Sequence, residues 1–305
     1  MSAKTEHIVY ADDSMIPDLT GLWMEAFGDE REYVDFYFAN RYAKNNLLVY
    51  LEEGKAVSMI SILPVLLHGG GKKIPARYVY AVATRKDCRG RGYARELILE
   101  AKRLLQEPLL LEPAEEGLAE YYRKMGFCDA FSVREYDLLK ESEALQAARE
   151  ISDLAAAEIP AEESHIRRQP QRYWMLTITP SEYHEIRNTH FAGEGFVEWD
   201  KEGIAYALLE NELSGGFAYK IFHDEQEDIF MYRMEGERLN IIETTLSDED
   251  ILGVVEKLRI HPREIIVRRP AHNCSGIRKS VSQRMFGMLL WEERIEEGYL
   301  NLTLE

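Results

Sequence analysis

Two glycines and three arginines fall within seven residues, at spacings that suit an anion. Gly90 and Gly92 let a backbone approach a bound group closely, and Arg89, Arg91 and Arg95 bring guanidinium groups to the same place. All but Arg95, which follows directly, sit in the stretch Val79–Ala94, V-Y-A-V-A-T-R-K-D-C-R-G-R-G-Y-A. An apolar strand from Tyr78 to Ala83 leads through a short polar turn into the glycine-spaced loop, and the loop opens a helix that runs to about Gln106. The amides of such a loop and of the first helical turn have no intrahelical partner, and the helix dipole favours negative charge there, so a phosphate is the expected guest. The stretch lacks the G-x-x-x-x-G-K-[ST] of a P-loop and the G-x-G-x-x-G of a dinucleotide fold.

Downstream, Leu109-Leu110-Leu111 reads as a short buried strand after Pro108, and Ala114–Met125 as a helix ending in Tyr121-Tyr122-Arg123-Lys124-Met125-Gly126-Phe127. The pattern R-x-x-G-x-A at Arg89, Gly92 and Ala94, followed by Y-x-K-x-G-F at Tyr122 to Phe127, resembles the two motifs of the GCN5-related N-acetyltransferases (GNAT) in their family order. The specific motifs lie between Val82 and Phe127.

The resemblance implies transfer of acetyl from acetyl-CoA to a primary amine of a small molecule or peptide, by direct attack within a ternary complex. The cofactor-binding residues it implies are Val82, Ala83 and Thr84, whose backbone would meet the pantetheine arm, and Arg89, Gly90, Arg91, Gly92, Tyr93, Ala94 and Arg95 around the pyrophosphate. Tyr122 stands at the family's tyrosine position and would donate to the departing thiolate; Tyr121, its neighbour, points about 100° away on a helix. Glu112, just past the buried strand, is a candidate base, and Glu30 or Asp29 could reach the cleft from the acceptor side. In tandem relatives the terminal carboxylate enters the active site, which makes Glu305 a further candidate. A non-catalytic acyl-CoA-binding sensor or assembly module is the alternative; Tyr122 and the intact loop favour the enzyme.

The elements that must position these groups follow from periodicity. His7–Ala11 reads as a first strand. Ser14 can cap a helix with Pro17 in its first turn and Leu19, Leu22, Trp23, Ala26 and Phe27 on its apolar face, ended by Gly28-Asp29. A second helix, about Glu30–Tyr42, carries Tyr33, Phe36, Tyr37 and Tyr42. Trp23, Phe27, Glu30, Tyr33 and Phe36 form the candidate acceptor pocket, although the same aromatic density suits an ordinary core helix. Leu47–Glu52, Lys55–Leu63 and Lys73–Thr84 read as antiparallel strands, and Phe131–Leu139 as the strand that closes the sheet.

Glu141–Glu163 reads as a helix and Arg167–Gln171 as an exposed connector. Ser181–Thr189 is then expected as a helix capped by Ser181, and Gly203–Leu209, Gly216–Phe222, Asp228–Glu235 and Arg238–Thr245 as strands. Ser247–Leu258 should be a helix with a capped acidic start, and Ile265–Val267 and Leu300–Leu304 short strands. The order of the first half recurs without a second R-x-x-G-x-A. The expected fold class is thus α/β (α+β): a catalytic domain over 1–140, a helical connector over 141–170 and a degenerate second GNAT-like domain over 171–305, each a twisted mixed, mostly antiparallel sheet flanked by helices. That arrangement resembles the bacterial tandem acetyltransferases of the enhanced-intracellular-survival type, without their C-terminal sterol-carrier-like domain.

Composition bounds the partners. At 305 residues, 46% hydrophobic and 30% charged, the chain is an ordinary globular sequence of about two domains. Apolar runs are too short to span a membrane and Met1–Asp13 has no apolar signal core, so a cytoplasmic protein without a membrane partner is expected. Three cysteines, Cys88, Cys128 and Cys274, suggest neither disulfides nor a metal site; Cys88 beside the arginines is at most a somewhat reactive thiol. A net charge of −17 argues against nucleic acid as a partner. Residues 1–140 carry a net −3 and residues 141–305 a net −14, which serves solubility or draws a cationic amine. A homo-oligomer is left open.

Overall fold

The computed structural model describes residues 7–143, 173–271, 282–293, 295 and 298–302. The first stretch forms β1 (Ile8–Tyr10), α1 (Ile16–Phe27), α2 (Arg31–Asn40), β2 (Leu47–Glu52), β3 (Lys55–Gly69), β4 (Lys72–Thr84), α3 (Tyr93–Leu105), β5 (Leu109–Leu111), α4 (Glu116–Arg123) and β6 (Cys128–Asp137). The rest forms β7 (Trp174–Thr177), α5 (Pro180–Phe191), β8 (Val197–Trp199), α6 (Lys201–Leu213), β9 (Phe217–His223), β10 (Gln226–Glu235), β11 (Arg238–Thr244), α7 (Asp248–Leu258), β12 (Glu264–Pro270) and β13 (Ser282–Leu290). Contacts divide the chain into two compact units, Met1–Phe131 with Gly193–Tyr206 and Met285–Glu305, and Ser132–Ala192 with Ala207–Arg284.

In the first unit, β1 to β4 pair antiparallel in sequence order, β5 lies parallel to β4, and β8 pairs antiparallel with the far part of β3. Leu97, Ile98 and Ala101 of α3 and Ala119 and Tyr122 of α4 share one buried cluster with Ile60, Ile62 and Val79. Alternate strand residues point to the other face: Ser61 meets Tyr37 of α2, and Tyr80 meets Trp23 of α1. Thus α3 and α4 cover one face of the sheet and α1 and α2 the other. Helix α1 buries Leu19, Leu22 and Trp23 at helical spacing and ends at Gly28, whose φ of 84° lets its N–H reach the Met24 carbonyl at 2.9 Å.

Two expectations about the sheets need correction. The neighbour of β5 is not Phe131–Leu139 but the distant β13, with Leu109 opposite Leu290 and Leu111 opposite Met288. Residues Val133 to Asp137 of β6 pair instead with β12 in the second unit. Side chains account for the choice: β5 is fully buried and takes the apolar Met288-Leu289-Leu290, whereas Glu135 of β6 pairs with Arg268 of β12. The compact units are therefore discontinuous, unlike the serial division 1–140, 141–170 and 171–305. Gly203–Leu209 is not a strand but part of α6, started by Asp200, which accepts from the Gly203 amide at 2.6 Å.

The second unit orders its strands β7-β9-β10-β11-β12-β6, antiparallel except for β11 and β12. Its core joins Ile221, Phe230, Leu239, Ile241 and Val267 to Ile251 and Val254 of α7. Two helix caps differ from expectation by two residues: Asp12, not Ser14, caps the 3-10 turn Asp13–Met15 that leads into α1, and Thr179, not Ser181, caps α5 in a capping box with Glu182. Leu300–Leu304 forms no strand as far as Leu302, and most of Glu141–Glu163, all of Arg167–Gln171 and Cys274 lie outside the described residues. Among the described residues no helix is long and apolar enough to cross a membrane.

Candidate active site

The site begins with an irregularity in β4. Met59 pairs with Ala83 and Ser61 with Tyr80, so Ala81 and Val82 together face Ile60. Ala81 takes up the extra residue with φ 49°, a left-handed conformation that costs an alanine about 1–3 kcal/mol. Strands β4 and β5 pair only at Arg77 with Leu109 and Tyr78 with Leu110. Beyond that the sheet opens into a cleft of about 520 Å³. Its floor is Val79 to Val82 of β4 with Leu111 and Glu112; Tyr122 and Leu118 of α4 form one wall, and Trp23, Phe27 and Asp29 at the end of α1 the other. Because β13 seals the other edge of β5, the gap exists without leaving that strand unpaired.

Tyr122 is 6% exposed and packs edge-on against Phe127 and Tyr121, at 5.6 and 5.4 Å. Its hydroxyl makes no hydrogen bond among the described residues. Burial, reinforced by Tyr121, pushes its pKa well above that of an ordinary phenol, so it stays protonated and presents a hydrogen-bond donor to the cleft. Across the cleft, Asp29 accepts from the Trp23 indole N–H at 2.7 Å.

The anion loop has the expected form. Gly90 and Gly92 have φ of 78° and 89°, and a Cβ at either would meet nothing within 4 Å, so conformation rather than space demands glycine there. Gly92 caps α3, and the first intrahelical bond runs from the Glu96 amide to the Gly92 carbonyl at 3.0 Å. The amides of Tyr93 and Ala94 therefore remain available to a ligand, while that of Arg95 faces the Tyr121 hydroxyl. Arg89 and Arg95 are exposed; Arg91 reaches Glu52 at 3.4 Å, which also accepts from the Tyr93 hydroxyl at 2.7 Å. Arg85 is a tether rather than a ligand, held by the Ala56 carbonyl, Asp18 and Glu25. Cys88 is buried, and burial raises its thiol pKa, so it is not activated.

Of the expected site residues, Tyr122, Glu112, Val82, Trp23 and Phe27 meet in the cleft. Ala83 and Thr84 do not line it: the Ala83 carbonyl and the Thr84 hydroxyl both bond the Ser58 hydroxyl, at 2.7 and 2.8 Å. Tyr33 lies one layer back, its hydroxyl 3.2 Å from that of Tyr80, and Phe36 packs on Tyr206. Glu30 is exposed at the start of α2. Glu305 lies outside the described residues. Ala81 and Tyr80 were not anticipated, and no residue type announces the bulge. Among the described residues no group of three His, Cys, Asp or Glu side chains is placed to hold a metal ion.

Residues 7–128 match the family model described as an acetyltransferase (GNAT) domain. No curated protein matches the chain. Among solved structures, a GCN5-related N-acetyltransferase from Anabaena variabilis ATCC 29413 is 19% identical with a TM-score of 0.63, covering 92% of this chain and 71% of that one. A GCN5-related N-acetyltransferase from Kribbella flavida is 14% identical with a TM-score of 0.64, covering 92% and 70%. Eis1 from Mycobacterium abscessus is 14% identical with a TM-score of 0.61, covering 94% and 73%. Residues 7–128 are thus similar to a GNAT acetyltransferase domain, in a chain that shares the fold of solved GCN5-related N-acetyltransferases over more than nine-tenths of its length.

Proposed function

We propose that the first unit transfers the acetyl group of acetyl-CoA to a primary amine. The observation that carries this reading is the opened gap between β4 and β5, which has the ligand-ready amides of α3 and the buried Tyr122 on the same face. The residues fit the group: Gly90 to Arg95 offer amides and cations to a pyrophosphate, and the cleft of about 520 Å³ would receive the pantetheine arm. Acetyl-CoA supplies the acetyl group activated as a thioester. The amine nitrogen forms the new C–N bond as the C–S bond breaks, and the Tyr122 hydroxyl gives its proton to the sulfur. The amine attacks in its neutral form, an ammonium first losing a proton to solvent, and the surplus proton of the adduct passes to Glu112 directly or through water. Glu112 releases it to solvent and Tyr122 regains one, leaving an amide and a thiol.

The loop is tested by Gly92→Val. A β-branched residue held at φ 89° carries strain of about 1–3 kcal/mol, so the loop leaves its binding conformation and the Kd for acetyl-CoA should rise about tenfold or more. Unchanged affinity in calorimetry would remove the loop from the site.

The same calorimetry should give one acetyl-CoA per chain. Where the second unit passes from β11 into α7, it carries no glycine cap or arginines. The α7 terminus is capped by Ser247 and carries Asp248, Glu249 and Asp250 in its first turn, which repel a phosphate. Two sites per chain would contradict this.

A further inference from the structure

We infer that the acceptor is a monocationic primary amine carried on an aromatic or extended apolar body, with Asp29 as the residue that binds its ammonium group. The inference rests on the acetyltransferase reading. A cofactor that starts at α3 occupies the α3 and α4 face of the sheet, which leaves the α1 wall for the acceptor. That wall presents Trp23, Phe27 and Tyr80 around a single carboxylate, Asp29. Among the described residues no lysine, arginine or histidine lines the cleft, so a cation is the charge it accommodates.

Asp29 is built to hold a fixed position. Gly28 turns the chain at the end of α1, and the fully buried Trp23 donates its indole N–H to Oδ2 of Asp29. The other carboxylate oxygen accepts no hydrogen bond among the described residues. The aromatic neighbours stabilise an ammonium through their faces, and the other carboxylate of the cleft, Glu112, serves as the base, so the α1 wall itself offers a polycation one charge partner. Phe27, at the mouth, is 48% exposed, a large apolar surface that an aromatic or alkyl body attached to the amine would cover.

The experiment uses the full chain with 2-phenylethylamine and spermidine, read by calorimetric binding and by release of CoA thiol from acetyl-CoA. 2-Phenylethylamine is expected to bind, and to show a kcat/KM at least tenfold above that of spermidine. Asp29→Asn keeps an oxygen for Trp23 and removes the charge; it should raise the Kd and KM for 2-phenylethylamine at least tenfold and leave acetyl-CoA affinity unchanged. Equal or better use of spermidine, no binding of 2-phenylethylamine, or an Asp29→Asn variant with unchanged amine affinity overturns the assignment. Failure of acetyl-CoA to bind overturns the acetyltransferase reading instead, and the amine titrations of both proteins still decide the acceptor.

Discussion

Tyr122→Phe is expected to lower kcat by about 10²–10⁴-fold, the usual contribution of a positioned general acid, with acetyl-CoA affinity nearly unchanged. The substitution removes only the hydroxyl. The ring keeps its packing against Phe127 and Tyr121, and because the hydroxyl bonds no described residue, its loss orphans no partner there. A stability change would therefore not account for a loss of turnover. The pKa direction adds a second readout. Burial raises the Tyr122 pKa, so the protonated donor persists as pH rises and is lost only above the range of an ordinary phenol, near 10. The rate of acetyl transfer should accordingly show no alkaline decline from this group below about pH 10. Tyr121→Phe is the control and should retain most activity. Full activity in Tyr122→Phe would end its role as acid; a large loss in Tyr121→Phe alone would move the role one residue back.

What could be read from the sequence was local. The loop from Arg89 to Ala94 was legible because glycine at positive φ, arginine and a helix start are neighbours in the chain, and Tyr122 because Gly126 and Phe127 fix its place in a short motif. The pairing of β5 with β13 was not legible, since Leu111 and Met288 meet across most of the chain and no local pattern chooses Met288-Leu289-Leu290 over Phe131–Leu139. The start of helix α6 has the look of a strand because Ile204 and Tyr206 alternate with small residues; the cap that decides the matter is Asp200, outside the stretch that alternates. On the acceptor side, sequence could name Asp29 and Glu30 but not separate them. One turn through Gly28 sends the first to Trp23 and leaves the second in solvent. The bulge at Ala81 had no signal, because alanine is disfavoured at φ 49° and the surrounding strands impose it.

In the second unit, Arg187→Met is expected to cost about 3–5 kcal/mol, the range for breaking a buried ion pair by removing one partner. Arg187 on α5 and Glu243 on β11 are both fully buried, with the guanidinium Nε 3.0 and 3.2 Å from the two carboxylate oxygens. Tyr183, one turn before Arg187, donates to the same carboxylate at 3.0 Å. Removing the guanidinium strips a fully buried carboxylate of this cation, and the desolvation cost that the pair had offset then falls on the folded state. The attraction within the pair is largely cancelled by that same cost, so replacing both partners behaves differently. Arg187→Met with Glu243→Leu should recover most of the loss, although Tyr183 then exchanges its carboxylate acceptor for the weaker Met231 sulfur at 3.6 Å. Urea unfolding of wild type, both single variants and the double variant gives the coupling directly. If the double variant is as unstable as the sum of the singles, the two residues act independently and the pair is not what fastens α5 to β11.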